Sequence, residues 1–292
     1  HGSAPGIWLE DERGRWVAML PGVPREMRGM LADTLLPIVA SRVGDARTVV
    51  RSRTLRTTGI GESAIADLVG SLSQGVGEVG LAYLPNAHGT DLRLTVRDAG
   101  PGEADARLAD GVARLRPLVG EWIYGEDGAD LAEVVLSQCR ARGITVGVAE
   151  SCTGGLLGAR LTAVPGSSDV VQGGVIAYAY EVKTSMLGVP AAMLEAHGAV
   201  SEPVARAMAS GARASVGVDA ALAITGIAGP GGGTEAKPVG TVWIALDLRG
   251  VVEARRYMMV GDRAEIRQRS AQAALEMLRR RLLADGRQAG TQ

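Results

Sequence analysis

The chain is poor in the residues on which several kinds of chemistry depend. Its 292 residues include two Cys, three His and no Phe. Cys139 and Cys152 cannot supply a disulfide framework or a four-cysteine zinc site. With only His1, His88 and His197 available, no His stands near Cys152 in the sequence to activate it. No apolar run approaches the roughly 18–20 residues that span a bilayer, and no charged-then-apolar leader precedes a small-residue cleavage site. Neither sign of charge is in excess, with 31 Lys and Arg against 32 Asp and Glu. That balance argues against a protein held to nucleic acid or anionic lipid by a bulk basic surface. What is present is 46% hydrophobic residues and 22% charged ones, enough to bury real cores. The expectation is a soluble, cytoplasmic α/β protein of two domains or three small ones.

The chain opens at His1 without Met and runs into Gly2-Ser3-Ala4-Pro5-Gly6, which reads as a chain lacking its natural N-terminus. Residues 1–47 hold a short apolar run, Trp16–Leu20, read as a buried strand, and a helix over 25–43 entered through Pro24. Residues 48–125 read as an α+β module of β-α-β-β-α order, with strands at 49–57, 79–84 and 91–97. Residues 126–292 alternate helices with apolar strands. Strands are expected at 144–149, within 169–177 and at 220–225, and a hairpin is expected at 239–260, turned at Arg249-Gly250. A last helix over 262–285 opens with Asp262 and Glu265 spaced as a capping box.

Four constellations can carry chemistry. In Ala149-Glu150-Ser151-Cys152-Thr153-Gly154-Gly155, a strand ends and a Ser stands just before a helix start, where free amides favour negative charge. Such amides suit an oxyanion or a bound phosphate. Ser151 as a simple helix cap is the competing reading, and Cys152 is the rival nucleophile. In Gly173–Lys183, a strand delivers Tyr178 and then Lys183. A Lys acts as a general base only where burial or neighbouring charge lowers its pKa; a solvent-facing Lys is the ordinary alternative. Thr225-Gly226-Ile227-Ala228-Gly229-Pro230-Gly231-Gly232-Gly233 is a strand running into a glycine loop able to approach a ligand closely, or a plain flexible turn. It is neither a P-loop nor a dinucleotide fingerprint. Arg263, at the start of the last helix, runs against the dipole preference and suits a phosphate or carboxylate; a solvated Arg is the alternative.

Taken in order, the strings AESCTGG, VPGSSD, LGVP, HGAVSE, TGIAGPGGGT, KPVGTVWIA and GDR resemble the CinA family, whose C-terminal domain is the PncC-type nicotinamide-nucleotide amidase. GSAPG and LPGVPREM resemble the end of the family's molybdopterin-binding-like N-terminal domain, and LRTTGIGES its KH-like linking module. The resemblance implies an α/β chain. Its C-terminal domain is a three-layer α/β/α amidohydrolase over 126–292, preceded by the α+β module and a remnant of an N-terminal α/β domain. It further implies hydrolysis of nicotinamide mononucleotide to nicotinate mononucleotide and ammonia.

Carried over, Ser151 is the nucleophile, Lys183 its base, Tyr178 a residue tuning that pair and Thr225 a hydrogen-bonding wall. Thr153, Gly154, Gly226, Gly229, Gly231, Gly232 and Arg263 would hold the substrate, with no metal and no cofactor. The chain departs from the family at Tyr180, where members often carry Asn, so Tyr180 stays outside the catalytic set. The metal-linked ADP-ribose pyrophosphatase activity of the N-terminal domain is not expected here. A homodimer without membrane or nucleic-acid partners is expected, and a non-enzymatic role beside the recombination machinery is the alternative function. The module's Gly59-Ile60-Gly61 turn and element order resemble nucleic-acid-binding KH modules. The KH clamp, however, is a GXXG loop, and neutral overall charge offers nucleic acid little affinity.

Overall fold

The computed structural model describes residue 2, residues 4–43 and residues 48–289. The chain divides into two compact units, residues 1–51 with 97–105, and residues 52–96 with 106–292. In the first, β1 (Ile7–Glu10) pairs antiparallel with β2 (Trp16–Met19), and Trp8 stacks on Trp16 at 4.5 Å. Helix α1 (Pro24–Met30) starts with its Pro in the first turn; a π-helical stretch over Leu31–Leu35 joins it to α2 (Leu36–Val43). The expectation of a buried strand at Trp16–Leu20 is corrected: Trp16, Val17 and Met19 are exposed. A two-stranded ribbon has no further sheet with which to cover such residues.

The second unit contains most of the α+β module: β3 (Val49–Thr57), α3 (Glu62–Val69), β4 (Gly80–Asn86), β5 (Gly89–Ala99), α4 (Pro101–Val119) and β6 (Ile123–Glu126). Its sheet runs β4-β5-β3-β6. Strand β6, not foreseen from the sequence, closes the edge on β3.

The larger sheet follows. After α5 (Leu131–Arg140) come β7 (Val146–Glu150), α6 (Leu156–Thr162), β8 (Val171–Ile176), α7 (Tyr180–Leu187), α8 (Ala191–His197) and α9 (Glu202–Val216). Then β9 (Ala220–Gly226), β10 (Thr241–Leu248), β11 (Val251–Met258) and α10 (Arg263–Ala289) complete the chain. The order is β11-β10-β9-β7-β8, with β7 parallel to both β8 and β9. One face packs against α5, α6 and α10, the other against α7, α8 and α9, giving three layers. Apolar strands of this kind need cover on both sides, and β7 is buried throughout. Strand β8 lies at the edge and is half-exposed along its length, unlike the buried strand expected there.

The hairpin turns at Arg249 and Gly250, both at positive φ, as a two-residue turn between twisted strands requires. The capping box also forms: the Asp262 amide donates to Glu265 and the Glu265 amide to Asp262, each at 2.9 Å.

Helices α7 and α9 touch through a residue with no side chain. A Cβ added to Gly211 would lie 1.9 Å from the backbone oxygen of Leu187. Gly211→Val is therefore expected to push α7 outward and cost about 1–3 kcal/mol of stability, as overpacking does. A urea midpoint equal to that of the native protein would contradict this contact.

Candidate active site

The chain leaves β7 by α6 toward β8 on one side, and reaches β9 on the other side through α7, α8 and α9. The carboxyl end of β7 is thus a topological switch point, where crevices open in sheets of this type. Ser151 is the first residue beyond that strand. Its amide donates to Ile224 O at 2.9 Å, which pins it to β9, and only 9% of the residue is exposed.

Lys183 stands on the first turn of α7, a helix that periodicity missed because its one inward polar residue inverts the usual apolar pattern. It is 1% exposed, the largest side chain so fully buried in the described structure. Its Nζ lies 3.1 Å from Ser151 Oγ, 2.6 Å from Ala177 O and 3.2 Å from Tyr178 O. No carboxylate pairs with it among the described residues. Burial accordingly lowers its pKa from the usual lysine value, against a smaller opposing effect of Cys152. A neutral amine has two N–H groups and one lone pair. Two carbonyls take the N–H groups, which leaves the lone pair for the Ser151 hydroxyl proton.

The turn after Ser151 departs from the sequence reading. The first amides of α6 are not free: Glu150, 1% exposed, accepts from Gly155 N, Leu157 N and Gly158 N at 2.7–3.0 Å. A carboxylate at a helix start matches the dipole and leaves no room there for a phosphate. Gly155 occupies the N-cap position, so Ser151 does not cap α6. Cys152 is buried and its thiol is pushed up to about 11, the opposite of an activated cysteine.

The remaining residues are distributed as follows. The Thr153 hydroxyl is buried without a partner, and Thr153 O accepts from Arg267 at 2.7 Å. Tyr178 touches Lys183 through its main chain only; its ring is exposed, and its hydroxyl lies 3.4 Å from Arg263. Thr225 Oγ1 donates to Ala199 O, and the Ala199 amide donates to the Tyr180 hydroxyl. Thr225 and the unusual Tyr180 therefore hold one loop between them. Gly226 packs against Val242, and Gly229 O accepts from Arg263 at 2.7 Å. Gly231 and Gly232 lie on the exposed part of the loop, and Gly154 sits in the turn after Ser151. Arg263 and Arg267, one helical turn apart on α10, have no carboxylate partner among the described residues. Arg267 and Glu150 were missed from the sequence. The i,i+4 spacing from Arg263 was the available signal for Arg267.

Among the described residues no group of three or more His, Cys, Asp or Glu is placed to hold a metal ion, and no helix is long and apolar enough to cross a membrane.

A three-layer α/β/α domain with a buried Ser–Lys pair at its switch point is the class this geometry defines. Residues 128–282 match the CinA C-terminal domain, and residues 52–125 match the damage-inducible protein CinA KH domain. The CinA-like protein of Gemmatimonas aurantiaca is 61% identical over 280 residues, covering 96% of this chain and 65% of that protein. The CinA-like protein of Salinibacter ruber is 45% identical over 282 residues, covering 96% and 68% respectively. A crystal structure of a competence-damaged protein (CinA) superfamily protein from Klebsiella pneumoniae superposes with a TM-score of 0.51 at 36% identity, covering 53% of this chain and 99% of that one. The chain belongs to the CinA family and spans about two thirds of the length of these curated relatives.

Proposed function

We propose that this protein hydrolyses the carboxamide of nicotinamide mononucleotide to nicotinate mononucleotide and ammonia. The observation that carries this reading is the buried Lys183 amine 3.1 Å from the Ser151 hydroxyl, with no carboxylate paired to it among the described residues. An amide is a poor acyl donor, and a covalent intermediate divides one hard step into two. Lys183 accepts the Ser151 proton as Oγ bonds to the carboxamide carbon. The resulting ammonium returns that proton to the nitrogen as the C–N bond breaks, and ammonia leaves. Water, deprotonated by the same amine, then attacks the acyl ester; the C–Oγ bond breaks, Ser151 regains its proton and the carboxylate departs. Arg263 and Arg267 are cations without carboxylate partners beside this centre and suit a phosphorylated substrate. The proposal includes a cytoplasmic homodimer.

The test is release of ammonia from nicotinamide mononucleotide by the full chain; no release at any enzyme concentration overturns the proposal. Two further outcomes are expected. Activity rises with pH as Lys183 loses its proton, with the midpoint below the ordinary lysine value because burial lowers it. A flat profile would remove Lys183 as the base. Cys152→Ala is expected to keep most of the rate, since its protonated thiol contributes no nucleophile; a loss as large as that of Ser151→Ala would reverse the assignment.

A further inference from the structure

The loop Thr58–Gly61, the β4–β5 turn, the end of β11 and the middle of α10 enclose a cavity of about 280 Å³, which neither Ser151 nor Lys183 lines. Sites for small molecules begin near roughly 300 Å³. Much of the wall is apolar, from Ile60, Tyr257, Met258, Val260 and Ala273, and Met258 and Val260 stand exposed at it. On the loop side, a Cβ on Gly61 would meet nothing within 4 Å.

Two of the polar side chains here are already satisfied. Thr58 Oγ1 donates to His88 O and accepts from Gln272 Nε2, and Gln272 Oε1 accepts from Arg160. They stiffen the wall and leave nothing for a ligand. Arg269 is different. Its Nε is shielded from solvent without an acceptor, and no carboxylate pairs with it among the described residues. Glu276, farther along α10, is held by Arg279 and Arg280. His88 also lines the cavity, and burial lowers its pKa, so at neutral pH it adds no charge there. Buried polar groups in folded proteins find partners. An anion in the cavity would pair with the guanidinium of Arg269, which lines it and meets no carboxylate among the described residues.

We propose that this cavity is a second ligand site, taking a small anion with a flat apolar ring. Arg269 would hold the carboxylate or phosphate, with the ring against Ile60, Tyr257 and Val260.

The test is calorimetric titration of the full chain with nicotinate, an aromatic carboxylate, and separately with adenosine monophosphate. At least one is expected to bind saturably at one equivalent, and the one that binds tells carboxylate from phosphate. Arg269→Met, which keeps an apolar stem, is expected to weaken that binding at least tenfold. Ile60→Trp, which fills the cavity from a partly exposed loop, is expected to weaken it equally should the first variant fold poorly. Arg263→Ala is expected to change the affinity less than twofold. Binding of neither probe overturns the proposal, as does binding that survives both cavity variants or is lost with Arg263→Ala.

Discussion

Lys183→Met is expected to lower the rate of amide hydrolysis about 10³-fold or more, toward the upper part of the 10²–10⁴ range for a single acid–base group. The same amine acts in every proton transfer of the proposed cycle, so its loss is felt in both halves. Met fills similar volume without a polar atom and is expected to leave the fold intact. The loss would then be chemical, visible as a fall in kcat with an unchanged thermal midpoint. Lys183→Arg sharpens the result. A guanidinium cannot be deprotonated in a protein, so it supplies no base, and the variant is expected to be as inactive. Ser151→Ala is expected to match these losses, because residues acting as one unit do not contribute additively. Mass spectrometry of the quenched native enzyme should find the acyl group on Ser151. Full activity in Lys183→Met would end the dyad assignment.

Glu150→Ala is expected to have the largest effect on stability. The carboxylate satisfies three amides at the start of α6 from a fully buried position. Removing it orphans three donors, one buried and two partly buried, a loss of about 3–5 kcal/mol and a large fraction of the stability of an ordinary domain. Glu150→Gln keeps one acceptor but turns an NH₂ group toward an amide, so an intermediate loss of about 1–3 kcal/mol is expected. Urea denaturation measures both. Because Ser151 is the next residue, activity should fall in the folded fraction as well. Midpoints equal to that of the native protein in both variants would show that the anchor does nothing.

Elements specified by neighbouring residues were legible in the sequence. The Arg249-Gly250 hairpin and the capping box at Asp262 and Glu265 involve residues within a few positions of each other, and the buried strands β7 and β9 are nearly uniform apolar runs. Short strands such as β1 and β6 carry four residues each, too few for a period to register. Helix α7 escaped because Lys183 points inward. In the site, Ser151 and Lys183 each stood out at the end of a strand, yet only family resemblance joined them. Their distance depends on parallel pairing of β7 with β8, a contact between segments far apart in the chain. Residue-level reasoning also left the helix-start amides open to a ligand, because nothing local shows that the preceding carboxylate turns back onto them.

Helix α10 does more than cover the sheet. Near its far end Arg279 donates to Glu121 O and Ile123 O, Arg280 lies 4.2 Å over the Trp122 ring, and both arginines grip the buried Glu276. Excising residues 52–125 would expose this ionic knot, with two guanidiniums cut off from the carbonyls and the ring they hold. The Klebsiella structure is matched over 99% of its own length and covers only 53% of this chain. A viable free-standing version of the C-terminal half would need that stretch of helix rewritten toward ordinary solvated residues, even though the end carrying Arg263 and Arg267 could stay as it is.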